Sequence, residues 1–132
     1  VAINISAARQ ALADAAGSTG ISTFTYIADN IEPPTFEVGE ISIDFDDTGN
    51  IDLLSVICRL YVSVATDSAA QSELDLYMAR SGSKSLKTAL EVDHKLGGAC
   101  QAMRVEKIDG YRVYQVAGIR YLGAQITVSV MG

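Results

Sequence analysis

Tryptophan is absent, and the 132 residues include two prolines, two cysteines and one histidine. Each scarcity excludes something. A single histidine, His94, rules out a histidine-rich metal centre, and no Cys–His cluster has zinc spacing. Cys58 and Cys100 are too few for a disulfide scaffold, so two buried thiols in a reducing compartment are expected rather than a bridge. No apolar run reaches the roughly 18 residues that a membrane helix needs. The opening 16 residues carry Arg9, Gln10 and Asp14 in an alanine-rich helical pattern, which is not the pattern of a secretory signal. Positive charge is also scarce. Ten Lys and Arg face 16 Asp and Glu, and the net charge of −6 gives a field that repels nucleic acid.

What is present is an ordinary globular composition, with 48% apolar and 20% charged residues. The length fits one domain, 1–132. A helix is expected from Asn4 or Ser6 onward, with Ile5, Ala8, Leu12 and Ala15 or Ala16 at helical spacing and Gly17-Ser18-Thr19-Gly20 as its stop. Residues 21–27 read as a strand, and Asn30-Ile31-Glu32-Pro33-Pro34 as an extended connection. A second strand, 36–45, places Ile41, Ile43 and Phe45 on one face, and Asp46-Asp47-Thr48-Gly49-Asn50 is turn chemistry. Leu54, Val56, Cys58, Leu60, Val62 and Val64 then alternate without a polar interruption, which predicts a central strand with one face on the core.

Two helices follow. Ser68 and Gln71 form a capping-box pattern before the stripe Ala70, Leu74, Tyr77 and Met78; Ser83 or Ser85 opens a second helix carrying Leu86, Ala89 and Leu90. Three strands are expected to finish the chain: 102–108, 111–117 and 119–131, the first two joined by an Asp109-Gly110 hairpin and the last preceded by a turn at Gly118. Leu122, Ala124, Ile126, Val128 and Val130 share one face of the last strand. This order predicts an α+β single-domain sandwich, a mostly antiparallel sheet of about six strands with helices packed on one face.

Charge is segregated along the chain. Residues 29–52 hold eight of the 16 acids and no base, whereas 80–120 hold eight of the ten bases and four acids. Unlike edges favour contact with a rotated neighbour and hence head-to-tail association. The candidate interface residues are Asp44, Asp46 and Asp47 on a hairpin at 37–53, and Arg104, Lys107 and Arg112 on an opposing edge at 102–117.

No catalytic constellation emerges. His94 has no Gly-x-Ser-x-Gly elbow to serve, and Ser81-Gly82-Ser83-Lys84 lacks the companion motifs that give Ser-x-x-Lys its chemistry. Asp44, Asp46 and Gly49 match three positions of a calcium loop, but Ser55 stands where the loop requires a bidentate glutamate. The expectation is no catalytic residue, no metal and no cofactor. A small metal-dependent enzyme using Asp44, Asp46 and Asp47 is the remote alternative.

Three stretches carry a family likeness. They are Tyr26-Ile27-Ala28-Asp29-Asn30 running into Pro33-Pro34; the region 74–105, with Leu74-Asp75-Leu76-Tyr77, Ser81-Gly82-Ser83-Lys84-Ser85-Leu86-Lys87-Thr88-Ala89-Leu90-Glu91 and Leu96-Gly97-Gly98; and 114–130, centred on Gly118-Ile119-Arg120-Tyr121-Leu122-Gly123-Ala124. In these, and in element order over almost its full length, the chain resembles the tail terminator proteins of long-tailed, siphovirus-type actinobacterial phages. The resemblance implies an α+β sandwich, a homo-oligomeric, sixfold ring at the head-proximal end of the virion tail, and assembly in the host cytoplasm. Its implied partners are the tail tube protein, the head–tail connector or stopper, and the tape-measure protein. DNA would pass through the lumen without specific binding, and neither enzymatic activity nor membrane is implied. Other rings of the neck, and the tube subunit itself, have similar size and architecture and remain the alternatives.

Overall fold

A computed structural model describes residues 3–26, 34–64 and 69–132, without the side chains of Asp47, Thr48 and Val64. Helix α1, Ile5–Gly17, begins where the Asn4 side chain accepts the Ala7 N–H at 3.1 Å. Its buried stripe, Ala8, Leu12, Ala13 and Ala16, is mostly alanine, which lets the helix lie close to the sheet. Strand β1, Ser22–Phe24, is short and pairs in parallel with β2, Thr35–Thr48. Strand β3, Ile51–Val64, returns antiparallel through a two-residue turn at Gly49–Asn50.

The expected row Leu54, Val56, Cys58, Leu60 and Val62 is buried along β3. Helix α2, Ala70–Met78, buries Ala70, Leu74 and Tyr77. Its N-cap is Ala69, which makes no side-chain cap bond; Ser68 lies outside the described residues, as do Ile27 at the end of the expected first strand and residues 30–33 of the expected connection. Helix α3, Leu86–Leu90, is capped by Ser85, whose hydroxyl oxygen accepts the Thr88 N–H at 3.2 Å. A 3-10 turn at Leu96–Gly98 leads into β4, Ala102–Val116, and β5, Ile119–Met131.

The strand order is β1-β2-β3-β5-β4. The sheet is antiparallel apart from β1; β3 is central, as its charge-free apolar face predicts, and β4 is an outer strand. Among the described residues, the three helices pack on the face that carries Phe36, Val38, Leu60, Ile126 and Val128, where the main core lies; Tyr61 and Tyr121 form a second, smaller cluster. The fold is thus an α+β sandwich. Both cysteines are free and buried. Among the described residues no helix is long and apolar enough to cross a membrane.

One expectation fails. Residues 102–116 form one strand of a five-stranded sheet, not two strands joined at Asp109-Gly110. Both halves pair with β5, and Asp109-Gly110 is a bulge in that ladder. Gly110 has φ +66°, the left-handed conformation that a bulge and a hairpin turn both accept. Folding at Gly110 would have paired the two halves with each other and left the apolar row of β5 without an outer partner. The expected turn at Gly118 does form, at Ala117–Gly118, both at positive φ.

Candidate functional site

The outer strand β4 has β5 as its strand neighbour on one side. On β4, two main-chain groups are occupied by side chains from the helical layer. Glu91 Oε2 accepts the Val105 N–H at 2.9 Å, and His94 Nδ1 lies 3.0 Å from the Met103 carbonyl oxygen. A carbonyl only accepts, so Nδ1 carries the proton there. Glu91 is itself held by Lys87 Nζ at 2.7 Å. Burial opposes its charge, but the Lys87 and Val105 hydrogen bonds outweigh it and hold the carboxyl below its ordinary range. These two side chains cap the first part of β4 against strand addition. The other end of the sheet has a similar device. Where the β1–β2 pairing stops, Arg9 Nη1 donates to the Thr25 carbonyl at 3.2 Å and the Val38 carbonyl at 3.1 Å. The sequence marks none of these residues as edge caps, because each acts across a separation that only the fold closes.

Between β4 and the end of α2 and start of α3 lies an open groove of about 500 Å³. Met78, Val105 and Ile108 form its smaller, apolar part, and Val105 is itself buried. Four bases, Arg80, Lys87, Arg104 and Lys107, and one acid, Glu106, line the rest. Two of these are sequence candidates. Their own ion pairs, Arg104–Glu106 at 3.6 Å and Lys107–Asp109 at 3.4 Å, are exposed and hold them weakly. Arg112 is not part of this group. It pairs across from Gly123, five residues farther along the strand, and stacks over the Tyr114 ring at 4.8 Å.

The acidic candidates sit at the far edge. Asp44 and Asp46 are exposed near the β2–β3 tip, where the Asp46 N–H donates to Asp52 Oδ1 at 3.0 Å. The side chain of Asp47 lies outside the described residues. Between the two aspartates, Phe45 is 71% exposed. By alternation it continues the row of Ile41 and Ile43 beyond the core. Strands β3 and β5 separate β2 from β4, so tip and groove occupy opposite edges, about 14 Å apart at ordinary strand spacing.

The acidic stretch also holds a residue that its sequence context misassigns. Glu37 is 2% exposed and accepts the Tyr61 hydroxyl at 2.8 Å. It stands on the face away from the helices, where Tyr61 packs against Tyr114 and Tyr121 at centroid distances of 5.8 and 6.1 Å. Burial, then the Glu37 hydrogen bond, pushes the Tyr61 phenol far above its ordinary range. On the same face Arg59 pairs with Glu40 at 2.9 Å, which lowers the glutamate and raises the arginine. The mixed outer face of β3 was the available signal, with Tyr61 as its one large aromatic.

The groups considered for chemistry are spent on structure. Burial pushes the Cys58 thiol up to about 12, and burial followed by the Asp93 charge raises Cys100. Ser85 caps α3, and Lys84 lies 5.6 Å from the Tyr77 ring centroid. Asp93 caps the 3-10 turn, accepting the Lys95 N–H at 3.0 Å and the Gly97 N–H at 2.8 Å. Asp44 and Asp46 stand in a strand rather than a calcium loop, and no three His, Cys, Asp or Glu side chains among the described residues are placed to hold a metal. No protein-family model matches the chain, and no curated protein matches its sequence.

Proposed function

We propose that this chain is a structural virion protein: it assembles into a ring at the head-proximal end of a phage tail, stops growth of the tail tube and presents the joining surface for the head–tail connector. The observation that carries the reading is the pair of unlike edges on one sheet. An acidic tip with an exposed aromatic lies at one edge, and a net basic groove with a small apolar patch lies at the other. Such a subunit complements a rotated copy of itself, so its contacts run head to tail and form a ring where the rotation between neighbours closes. The likeness of 74–105 and 114–130 to tail terminators supports the particular place in the virion. The net charge of −6 suits a lumen that DNA crosses without being gripped.

Termination asks for two unlike axial faces, one matching the tube end and one that recruits no further tube subunit. The two hairpin tips, at Gly49–Asn50 and Ala117–Gly118, point to opposite ends of the sheet and supply different chemistry. The first is acidic, and the second is flanked by Arg112 and Arg120.

Electron microscopy of a lysate of the parent phage lacking this protein tests the reading. Overlong, unattached tails beside filled heads are expected. Tails of normal length that fail to join would assign the chain to the connector, and absence of tails would assign it to the tube. Intact, infectious particles would overturn the virion role.

A further inference from the structure

The groove beside β4 and the tip of the β2–β3 hairpin are complementary in three respects. The groove offers a small apolar patch, Met78, Val105 and Ile108, and the tip offers Phe45, an aromatic side chain that the core leaves 71% exposed. The rim of the groove is net basic, with Arg80, Lys87, Arg104 and Lys107 against Glu106, and Phe45 is flanked by the exposed carboxylates of Asp44 and Asp46. Both features are edge features, on opposite sides of one sheet, so a chain cannot fill its own groove with its own tip.

We propose that the groove is the docking site for the β2–β3 tip of a second copy of this chain, with Phe45 seated on Met78, Val105 and Ile108 and with Asp44 and Asp46 facing Arg80, Arg104 and Lys107. This specifies the lateral contact of the ring and so rests on the ring reading above. The chemistry selects the occupant. Arg80 makes no ion pair among the described residues, and Arg104 and Lys107 are held by long, exposed pairs that a better-placed carboxylate displaces. A buried aromatic anchor with a charged rim is the usual form of an energetic centre in an interface. The caps on Val105 and Met103 keep the nearby part of β4 from pairing with a strand, so the edge is reserved for side-chain docking and not for open-ended sheet growth. Contact of edge to opposite edge repeats in one direction, which is what a ring requires.

Sedimentation velocity at concentrations up to about a millimolar, where weak contacts populate, tests the pairing with three variants. One carries Asp44→Lys and Asp46→Lys, a second carries Arg104→Glu and Lys107→Glu, and a third carries Phe45→Ser. All five positions are exposed, and far-UV circular dichroism checks that each variant is folded. The wild type is expected to associate, less so as salt is raised. Phe45→Ser is expected to weaken association about 30-fold. Each charge-reversed variant alone is expected to stay monomeric. Their equimolar mixture is expected to associate again, because the acidic tip of one meets the basic groove of the other and the reversed pair matches as well. If the charge-reversed variants associate as tightly as the wild type, the contact is overturned while the ring reading stands. If both fail and the mixture is not rescued, tip and groove do not meet, and the pairing is overturned. A wild type that remains monomeric throughout overturns the contact, and the tail-length experiment then judges the virion role by itself.

Discussion

Replacing Glu91 with alanine removes two interactions at once. Glu91 Oε2 accepts the Val105 N–H at 2.9 Å, and Oε1 takes Lys87 Nζ at 2.7 Å. A hydrogen bond to a charged acceptor is worth about 1.5–3 kcal/mol. The Lys87 pair is partly exposed, with side chains 29% and 17% accessible, so screening holds it to about 0.3–1 kcal/mol. Glu91→Ala should therefore cost about 2–3 kcal/mol, or roughly 6–15 °C in Tm for a domain of this size. Glu91→Gln keeps an acceptor for Val105 and should lose about 1 kcal/mol, the ionic part. Urea melts followed by far-UV circular dichroism measure both, since the protein has no tryptophan to report by fluorescence. The pH dependence has a definite sign. Burial opposes the charge of Glu91 and the Lys87 and Val105 bonds overcome it, so the folded carboxyl is more acidic than its ordinary 4.5. The folded state then binds fewer protons than the unfolded one, and the contribution is complete above the unfolded value and lost as pH falls through the folded one. The gap between wild type and Glu91→Gln should be full at pH 7 and close progressively below about pH 4.5. A loss under about 0.5 kcal/mol in Glu91→Ala would mean that water satisfies Val105 equally well. A gap that persists in acid would show that the charge is not what matters.

The same fold sets three further outcomes. Tyr61→Phe removes a donor from Glu37, which is 2% exposed, and should cost about 1.5–3 kcal/mol by the same melts. Because the folded phenol is raised by burial and by Glu37, stability should also fall as pH rises past about 10 in the wild type, and fall less in Tyr61→Phe. Cys58, fully buried with its thiol pushed up to about 12, should resist a thiol-disulfide reagent in the folded protein and react once urea unfolds it; stoichiometric reaction of the native protein would contradict the burial. Gly123→Ala should destabilise more than Gly110→Ala. A Cβ at Gly123 overlaps the Leu60 carbonyl oxygen of the neighbouring strand, and overpacking of that kind costs about 1–3 kcal/mol. At Gly110 the nearest obstacle is the Tyr114 hydroxyl at 2.6 Å, a side-chain end that can shift at the expense of its hydrogen bond to the Gly110 carbonyl, which adds to the cost of positive φ but spares the backbone, so the reverse order would refute the account.

Glu91, His94 and Arg9 share one role despite their different chemistry. Each is polar, each reaches from the helical layer to a main-chain group of the sheet, and each marks where regular pairing is not continued. A small domain with two sheet edges must manage both, or it pairs with its neighbours without limit. Here the capped stretch of β4 adjoins the basic groove, so the segment that refuses a strand offers a side-chain socket instead.

Several features were legible because they depend on neighbours in the chain. The alternation of Leu54 to Val62 and of Leu122 to Val130 identifies two core strands, since period-2 burial is a local rule. Asn4 and Ser85 announce helix starts by the same logic, as each caps an N–H three residues away. The segregation of acids and bases along the chain makes the β2–β3 tip acidic, while strand pairing decides which edge each charged stretch occupies. The rest depends on distance in space. Of the two turns the sequence announces, Asp109-Gly110 and Gly118, only the second forms, because only a continuous β4 gives β5 a full outer partner. Glu37 belongs to an acidic run in the sequence but is taken out of water by Tyr61, which lies 24 residues later. Arg104 and Lys107 gain a shared purpose with Arg80 and Lys87 only when β4 comes beside the ends of α2 and α3, whereas Arg112, on the same strand, is carried away from them. Local hydrophobic period and capping chemistry determined the elements. Strand pairing and helix packing, which trade local preference for buried area, decided which of their side chains meet.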